Sequence, residues 1–218
     1  RVLVERDEPG SYLLAAGAPP VSRRVGGWSS ADAHTLRWSG SWVGVLLHGL
    51  PRTDRRDRRS DARALAFLGF AELDPGLMIR PDNLRGGVEQ TRRELRELGL
   101  AIEARVFGLG SLDESCEARA RRLWNGSAIT RAHRVALAQL ERSVSRLPRL
   151  PRRAAMVETF LVGGRAIRQI ALDPRLPDAI APEAGYRTLV EAMREYDRAG
   201  REYWRDFMRN HGAPHRSS

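Results

Sequence analysis

Arginine dominates the side chains that could do chemistry in this sequence. All 37 basic residues are arginine, against 27 acidic residues, leaving a formal net charge of +10 and a pI of about 11.1. The chain has no lysine, which excludes a phosphate-loop lysine, a Schiff base and a lysine general base. A lysine-free composition also follows from GC-rich codon usage, but the surplus of ten positive charges survives that discount. It suits polyanions: nucleic acid or phosphate-bearing ligands. A single cysteine, Cys116, excludes an internal disulfide and any zinc site built on several thiolates, and places the chain in a reducing cytoplasm.

Other chemical patterns fail on their spacing. His211 and His215 are four apart, but Gly212 and Pro214 between them prevent a rigid helix from presenting both to a metal. Gly108-Leu-Gly110 lacks the third glycine of a dinucleotide loop. Asn125-Gly-Ser127 fits a glycosylation acceptor, but in a cytoplasmic protein it reads as a turn. Arg52, Arg55, Arg56, Arg58 and Arg59 form a dense cluster, yet Asp54, Asp57 and Asp61 are interleaved, the mark of a self-paired helix start. No catalytic constellation, metal or cofactor is read from the sequence. Nor does any apolar run approach the roughly 20 residues of a membrane span.

Three regions must position whatever functions here. Residues 1–35 open with two strand-like runs joined by Pro9-Gly10, a hairpin signal, and continue through a glycine- and proline-rich stretch of linker composition. Residues 36–112 read strand, helix, strand, strand, helix, strand. Trp42–Leu47 is a near-continuous apolar run, as in a strand buried on both faces. Ala62, Leu65, Ala66 and Leu68 form a helical stripe closed by Gly69. Phe70–Leu73 and Leu77–Ile79 flank an Asp-Pro-Gly turn, and Leu84, Val88, Leu95 and Leu98 mark a second helix stopped by Gly99. Ala101–Phe107 alternates with period two. That order is the ferredoxin-like βαββαβ arrangement, with the first and third strands central. Residues 113–218 read as a helical domain ending in a frayed tail, with helices over about 113–124, from Ser127 to 147, 152–172 and 186–208. Asn125-Gly126 ends the first of these and Ser127 caps the next. The fold class is α+β.

Three stretches of the chain together resemble the PaaX family of bacterial transcriptional repressors. They are Trp38-Ser-Gly40-Ser-Trp42; Leu68-Gly69-Phe70 running on to Asp74-Pro75-Gly76 and Arg80-Pro81; and Asp173-Pro174-Arg-Leu176-Pro177 followed by Ile180 and Pro182. The family's signatures read LGF-x-x-L-x-PG-hydrophobic-P and DP-x-LP-x-x-L-x-P. Two departures stand out: Gly185-Tyr186 occupies a region where that family has a tryptophan and a glycine, and Gly163-Gly164 replaces bulkier polar residues.

The resemblance implies an N-terminal winged helix-turn-helix, a ferredoxin-like middle domain and a helical C-terminal domain. It further implies a homodimer that binds operator DNA of a catabolic operon, such as one for phenylacetate, and releases it on binding an acyl-CoA such as phenylacetyl-CoA. On this resemblance the N-terminal hairpin is the wing, the recognition helix is expected upstream of Arg1, and Arg6, Arg23 and Arg24 are candidate DNA contacts. Arg165 and Arg168 are candidates for the effector's phosphates. Trp38, Trp42 and Tyr186 are candidates for its acyl end, although core packing is the better reading of Trp38 and Trp42. A ligand-binding module without DNA binding is the alternative. A ferredoxin-like nuclease is disfavoured, since the first strand of the middle domain ends Leu47-His48-Gly49 without a metal-binding carboxylate.

Overall fold

Trp42, Val43 and Val45 are each at most 1% exposed, so this strand is covered on both faces, and that sets the architecture around it. The computed structural model describes residues 4–8, 11–14, 25–47 and 55–211. The chain forms two compact units. One, the sheet unit, comprises residues 30–131 and 172–186; the other, the helical unit, comprises 1–29, 132–171 and 187–218. The division therefore runs through the helical region rather than ahead of it.

In the helical unit, β1 (Val4–Glu8) and β2 (Ser11–Leu14) pair antiparallel, with Arg6 opposite Tyr12. The sheet unit contains β3 (Trp42–Leu46), α1 (Arg55–Phe67), β4 (Ala71–Asp74), β5 (Leu77–Pro81), α2 (Gly87–Glu97) and β6 (Arg105–Leu109). The strand order is β4-β5-β3-β6, with every neighbouring pair antiparallel. This is the split arrangement read from the sequence, with the first and third of its strands, β3 and β5, central as expected. The protein is α+β.

On one face of the sheet, Val43, Val45 and Val106 pack with Ala64 and Leu65 of α1, Leu68 just after it, and Leu95 of α2. Trp42 and Ile79 pack on the other face against Ala120 of α3 (Glu114–Arg121), with Trp124 and Ile180 alongside. Gly44 accommodates the Phe107 ring, which a Cβ would meet at 2.9 Å. The remaining helices are α4 (Gly126–Arg146), α5 (Arg152–Ala171) and α6 (Ala184–His211).

Several local readings change. Residues 101–104 do not join β6: Ile102 is 75% exposed, and side chains engage the backbone here in place of a strand partner. Asp61 Oδ1 accepts from the Ala101 amide at 2.9 Å, and Arg96 donates to the carbonyls of Ala101 and Ala104. The same Asp61, only 4% exposed, belongs to the buried side of α1 with Ala64 and Leu65, continued by Leu68 just beyond the helix, while Ala62 and Ala66 face outward. Asn125 caps the start of α4, accepting from the Ala128 amide at 2.9 Å, rather than ending α3. Gly126 is instead needed where a Cβ would meet the Ile180 carbonyl at 2.8 Å. Trp28–His34, within the stretch of linker composition, forms a short 3-10 helix.

Gly69 links α1 to β4 with φ +76, and a Cβ there would lie 2.7 Å from Cβ and 2.9 Å from Cα of Pro174. Gly69→Ala combines left-handed strain with a backbone collision, and is expected to cost about 2–3 kcal/mol. Urea denaturation checks this through a lowered midpoint; an unchanged midpoint would contradict the close approach.

Candidate functional site

The effector residues read from the sequence divide between the units: Trp38, Trp42 and Tyr186 in the sheet unit, Arg165 and Arg168 in the helical unit. Trp42 is fully buried, its ring stacked on Trp124 (centroids 6.1 Å apart, planes at 7°) and edge-on to Trp38 (5.0 Å, 77°). Its indole N–H donates to Glu117 Oε2 at 2.8 Å. The Arg121 guanidinium lies 5.0 Å from the Trp38 ring centroid and its Nε donates to Glu117 at 2.7 Å. The Trp124 indole donates to the Gly69 carbonyl at 3.1 Å. Trp42 therefore acts as a packing element with no ring face left for a ligand, and Tyr186 is likewise buried.

A second polar arrangement sits beside this cluster. Arg80, with 0% exposure, donates to the Leu68 and Pro81 carbonyls and, at 3.0 Å, to Asn83 Oδ1. Asn83 Nδ2 in turn donates to the Arg175 carbonyl at 2.8 Å, and the Arg175 amide donates to Asp173 Oδ1 at 2.7 Å. Burial holds the Asp82 carboxyl above its ordinary pKa against the opposing pull of Arg80.

The helical unit contains a feature the sequence reading did not place. An apolar groove of about 270 Å³ runs between α5 and α6, lined by Phe160, Gly163, Ile167, Tyr196 and Trp204, with Arg201 and Asp197 among its walls. Glycines shape it. A Cβ on Gly163 would lie 3.3 Å from Met193 Cε, and one on Gly200 3.4 Å from Thr159 Cβ, so the helices approach closely at both points. A Cβ on Gly164 would meet nothing within 4 Å, which leaves that side open, and Phe160 stands 70% exposed. Arg201 pairs with Asp197 at 2.5 Å. Aromatic walls with an arginine in the lining suit a flat apolar group carried by an anionic ligand. The only sequence signal for it is the Gly163-Gly164 pair.

Below the groove, three helices share one polar knot. Ser143 of α4 lies 2.7 Å from the Tyr196 hydroxyl of α6 and donates to Glu158 of α5 at 3.0 Å, while Arg146 pairs with Glu158. Burial raises the Tyr196 pKa above its usual 10.0, and Glu158 adds to the rise; the Ser143 hydrogen bond and Arg146 act in the opposite sense. Arg165 and Arg168 are exposed on α5, and the acid ahead of them, Glu158, is taken by Arg146.

The remaining expectations concern the N-terminal region and metal. Arg6 is placed by its backbone in β1, and Arg23 and Arg24 lie outside the described residues. His133 is a buried residue of α4. Among the described residues no group of three or more His, Cys, Asp and Glu side chains is gathered for a metal, and no helix is long and apolar enough to cross a membrane.

These features define an α+β protein with an enclosed sheet unit and a grooved helical unit. No family model and no curated protein sequence matches the chain. Among solved structures it is similar to the uncharacterized protein Rv0674 from Mycobacterium tuberculosis, at 23% identity and a TM-score of 0.57, over 91% of this chain and 78% of that one. That likeness is one of fold.

Because the folded state raises the Tyr196 pKa, the unfolded chain loses this proton first. The associated stability is fully present below about pH 10, the reference value for tyrosine. It is lost as pH rises through the raised value. Urea unfolding on either side of this range is expected to show a steeper alkaline loss for wild type than for Tyr196→Phe. Identical slopes would contradict the burial of this phenol.

Proposed function

We propose that the protein is a PaaX-like transcriptional repressor, without enzymatic activity, that binds operator DNA as a homodimer and leaves it on taking up an acyl-CoA of the phenylacetyl-CoA type. One observation carries this reading. The three stretches that resemble the family are far apart in sequence yet meet within one unit: Trp42 stacks in a cluster with Trp124, which binds the Gly69 carbonyl; Gly69 abuts Pro174; and Arg80 and Asn83 link Leu68 to Arg175. A resemblance whose separate parts form one packed core is better support than any stretch alone.

In this reading the β1–β2 hairpin is the wing, and Arg6, Arg23 and Arg24 contact the DNA backbone or minor groove. The acyl group is taken by the groove between α5 and α6 in preference to Trp38 and Trp42, because the Trp42 ring is enclosed. Arg168, one turn beyond Gly164 on α5, and Arg165 meet the phosphates. The net charge of +10 favours approach of both anions.

Calorimetric titration with phenylacetyl-CoA, other aryl- and alkyl-CoAs and free CoA tests the effector. Thioester binding is expected, weakened about tenfold or more by Arg168→Ala, as for loss of a charge-assisted contact. In parallel, gel shifts with DNA upstream of the protein's own gene should show salt-sensitive retention by a homodimer of the full-length protein and release by the same thioester. No heat from any thioester up to millimolar concentration would overturn the effector assignment. Thioester binding with no DNA retention would leave a ligand-binding module.

A further inference from the structure

We propose that Arg175 is the receptor for a small oxyanion, a carboxylate or phosphate group, in the sheet unit. The proposal is independent of the acyl-CoA reading and concerns a different unit from the groove.

Two buried arginines are treated differently by the same fold. Arg80 is fully buried and its donors reach the carbonyls of Leu68 and Pro81 and the Asn83 amide oxygen. Arg175 is 8% exposed, its Nε is enclosed, and that Nε meets no acceptor. No carboxylate among the described residues pairs with it. A buried, unsatisfied donor on a charged group is among the costliest arrangements in a folded protein, and such groups call for a partner.

The backbone adds a second cost at the same residue. Arg175 has φ +52, whereas every other positive φ among the described residues belongs to glycine. Two hydrogen bonds hold it there, its amide to Asp173 Oδ1 and its carbonyl from Asn83 Nδ2. Strain of this kind persists where the surroundings over-determine it, and it concentrates at ligand sites. Glycine would remove both the strain and the unsatisfied charge, yet the clamp holds an arginine. It sits at the variable position between Asp173-Pro174 and Leu176-Pro177, so the resemblance assigns it no role.

The chemistry of the ligand follows from the group. A guanidinium is a fixed fork of donors, always charged, that matches the paired oxygens of a carboxylate or phosphate. With the side chain only 8% exposed, what it presents suits a single small anionic head rather than a nucleic-acid backbone passing across an open surface.

The test follows thermal unfolding of wild type and Arg175→Gly in chloride, phosphate and acetate at matched ionic strength. General salt effects act on both proteins, so the difference is read. The glycine variant should be at least as stable as wild type in chloride, and only wild type should gain in midpoint with phosphate or acetate; whichever anion acts identifies the head group. Arg168→Ala should respond as wild type does. Nitrogen-15 NMR gives a direct readout: the Nε–H signal absent from Arg175→Lys should move when wild type is titrated with the active anion. Equal anion responses in wild type and Arg175→Gly, or an Nε–H signal unmoved by both phosphate and acetate, would overturn the proposal.

Discussion

The buried guanidinium of Arg80 is the interaction on which the sheet unit depends. A charge removed from water costs several kcal/mol unless its donors are met. Here the acceptors come from three places: the Leu68 carbonyl at the end of α1, the Pro81 carbonyl at the end of β5, and Asn83 in the loop that follows. Asn83 passes the link to the carbonyl of Arg175, and Pro174 closes against Gly69. Segment 172–186 is thereby held against the unit formed by residues 30–131, although the stretch 132–171 of the helical unit intervenes in the chain.

Closure of that unit has a consequence for function. With α1 and α2 on one face and the Trp38, Trp42 and Trp124 cluster, α3 and Ile180 on the other, the sheet has no bare face to offer a ligand. The ferredoxin-like core works as a rigid frame. Ligand recognition is proposed instead at the clamped Arg175 and at the groove whose walls approach closely at Gly163 and Gly200. The polar knot of Ser143, Glu158 and Tyr196 fixes the helices that form the groove.

Much of the frame was legible in the sequence because it rests on patterns that survive locally. The unalternating run at Trp42–Leu47 marked a central strand, and Asp74-Pro75-Gly76 marked the turn between β4 and β5. The failures occurred where a side chain overrode the pattern. Alternation over 101–107 suggested one strand, but Asp61 and Arg96 capture its first residues as a turn. Asn125, read as the end of a helix, begins one because its side chain accepts from the amide at Ala128. The groove was invisible except as a glycine pair, since it depends on how α5 meets α6, and no local signal marks an arginine held at positive φ. The spacing of Trp38 and Trp42 favoured core packing over ligand binding, but what encloses the Trp42 ring, Trp124 and Glu117, lies about eighty residues away.

Amide hydrogen exchange on Arg80→Met tests most directly whether Arg80 organises this unit. The substitution keeps bulk but leaves the Leu68 carbonyl and Asn83 Oδ1 without their donor, a change expected to cost about 1–3 kcal/mol for each buried acceptor left unpaired. The amides of Ile180 and Ala181, bonded to the Pro177 carbonyl, and that of Phe70, bonded to the Leu65 carbonyl, should lose protection together, while amides in the middle of α5 remain protected. Unchanged protection at Ile180 and Ala181 in a folded Arg80→Met protein would contradict the account.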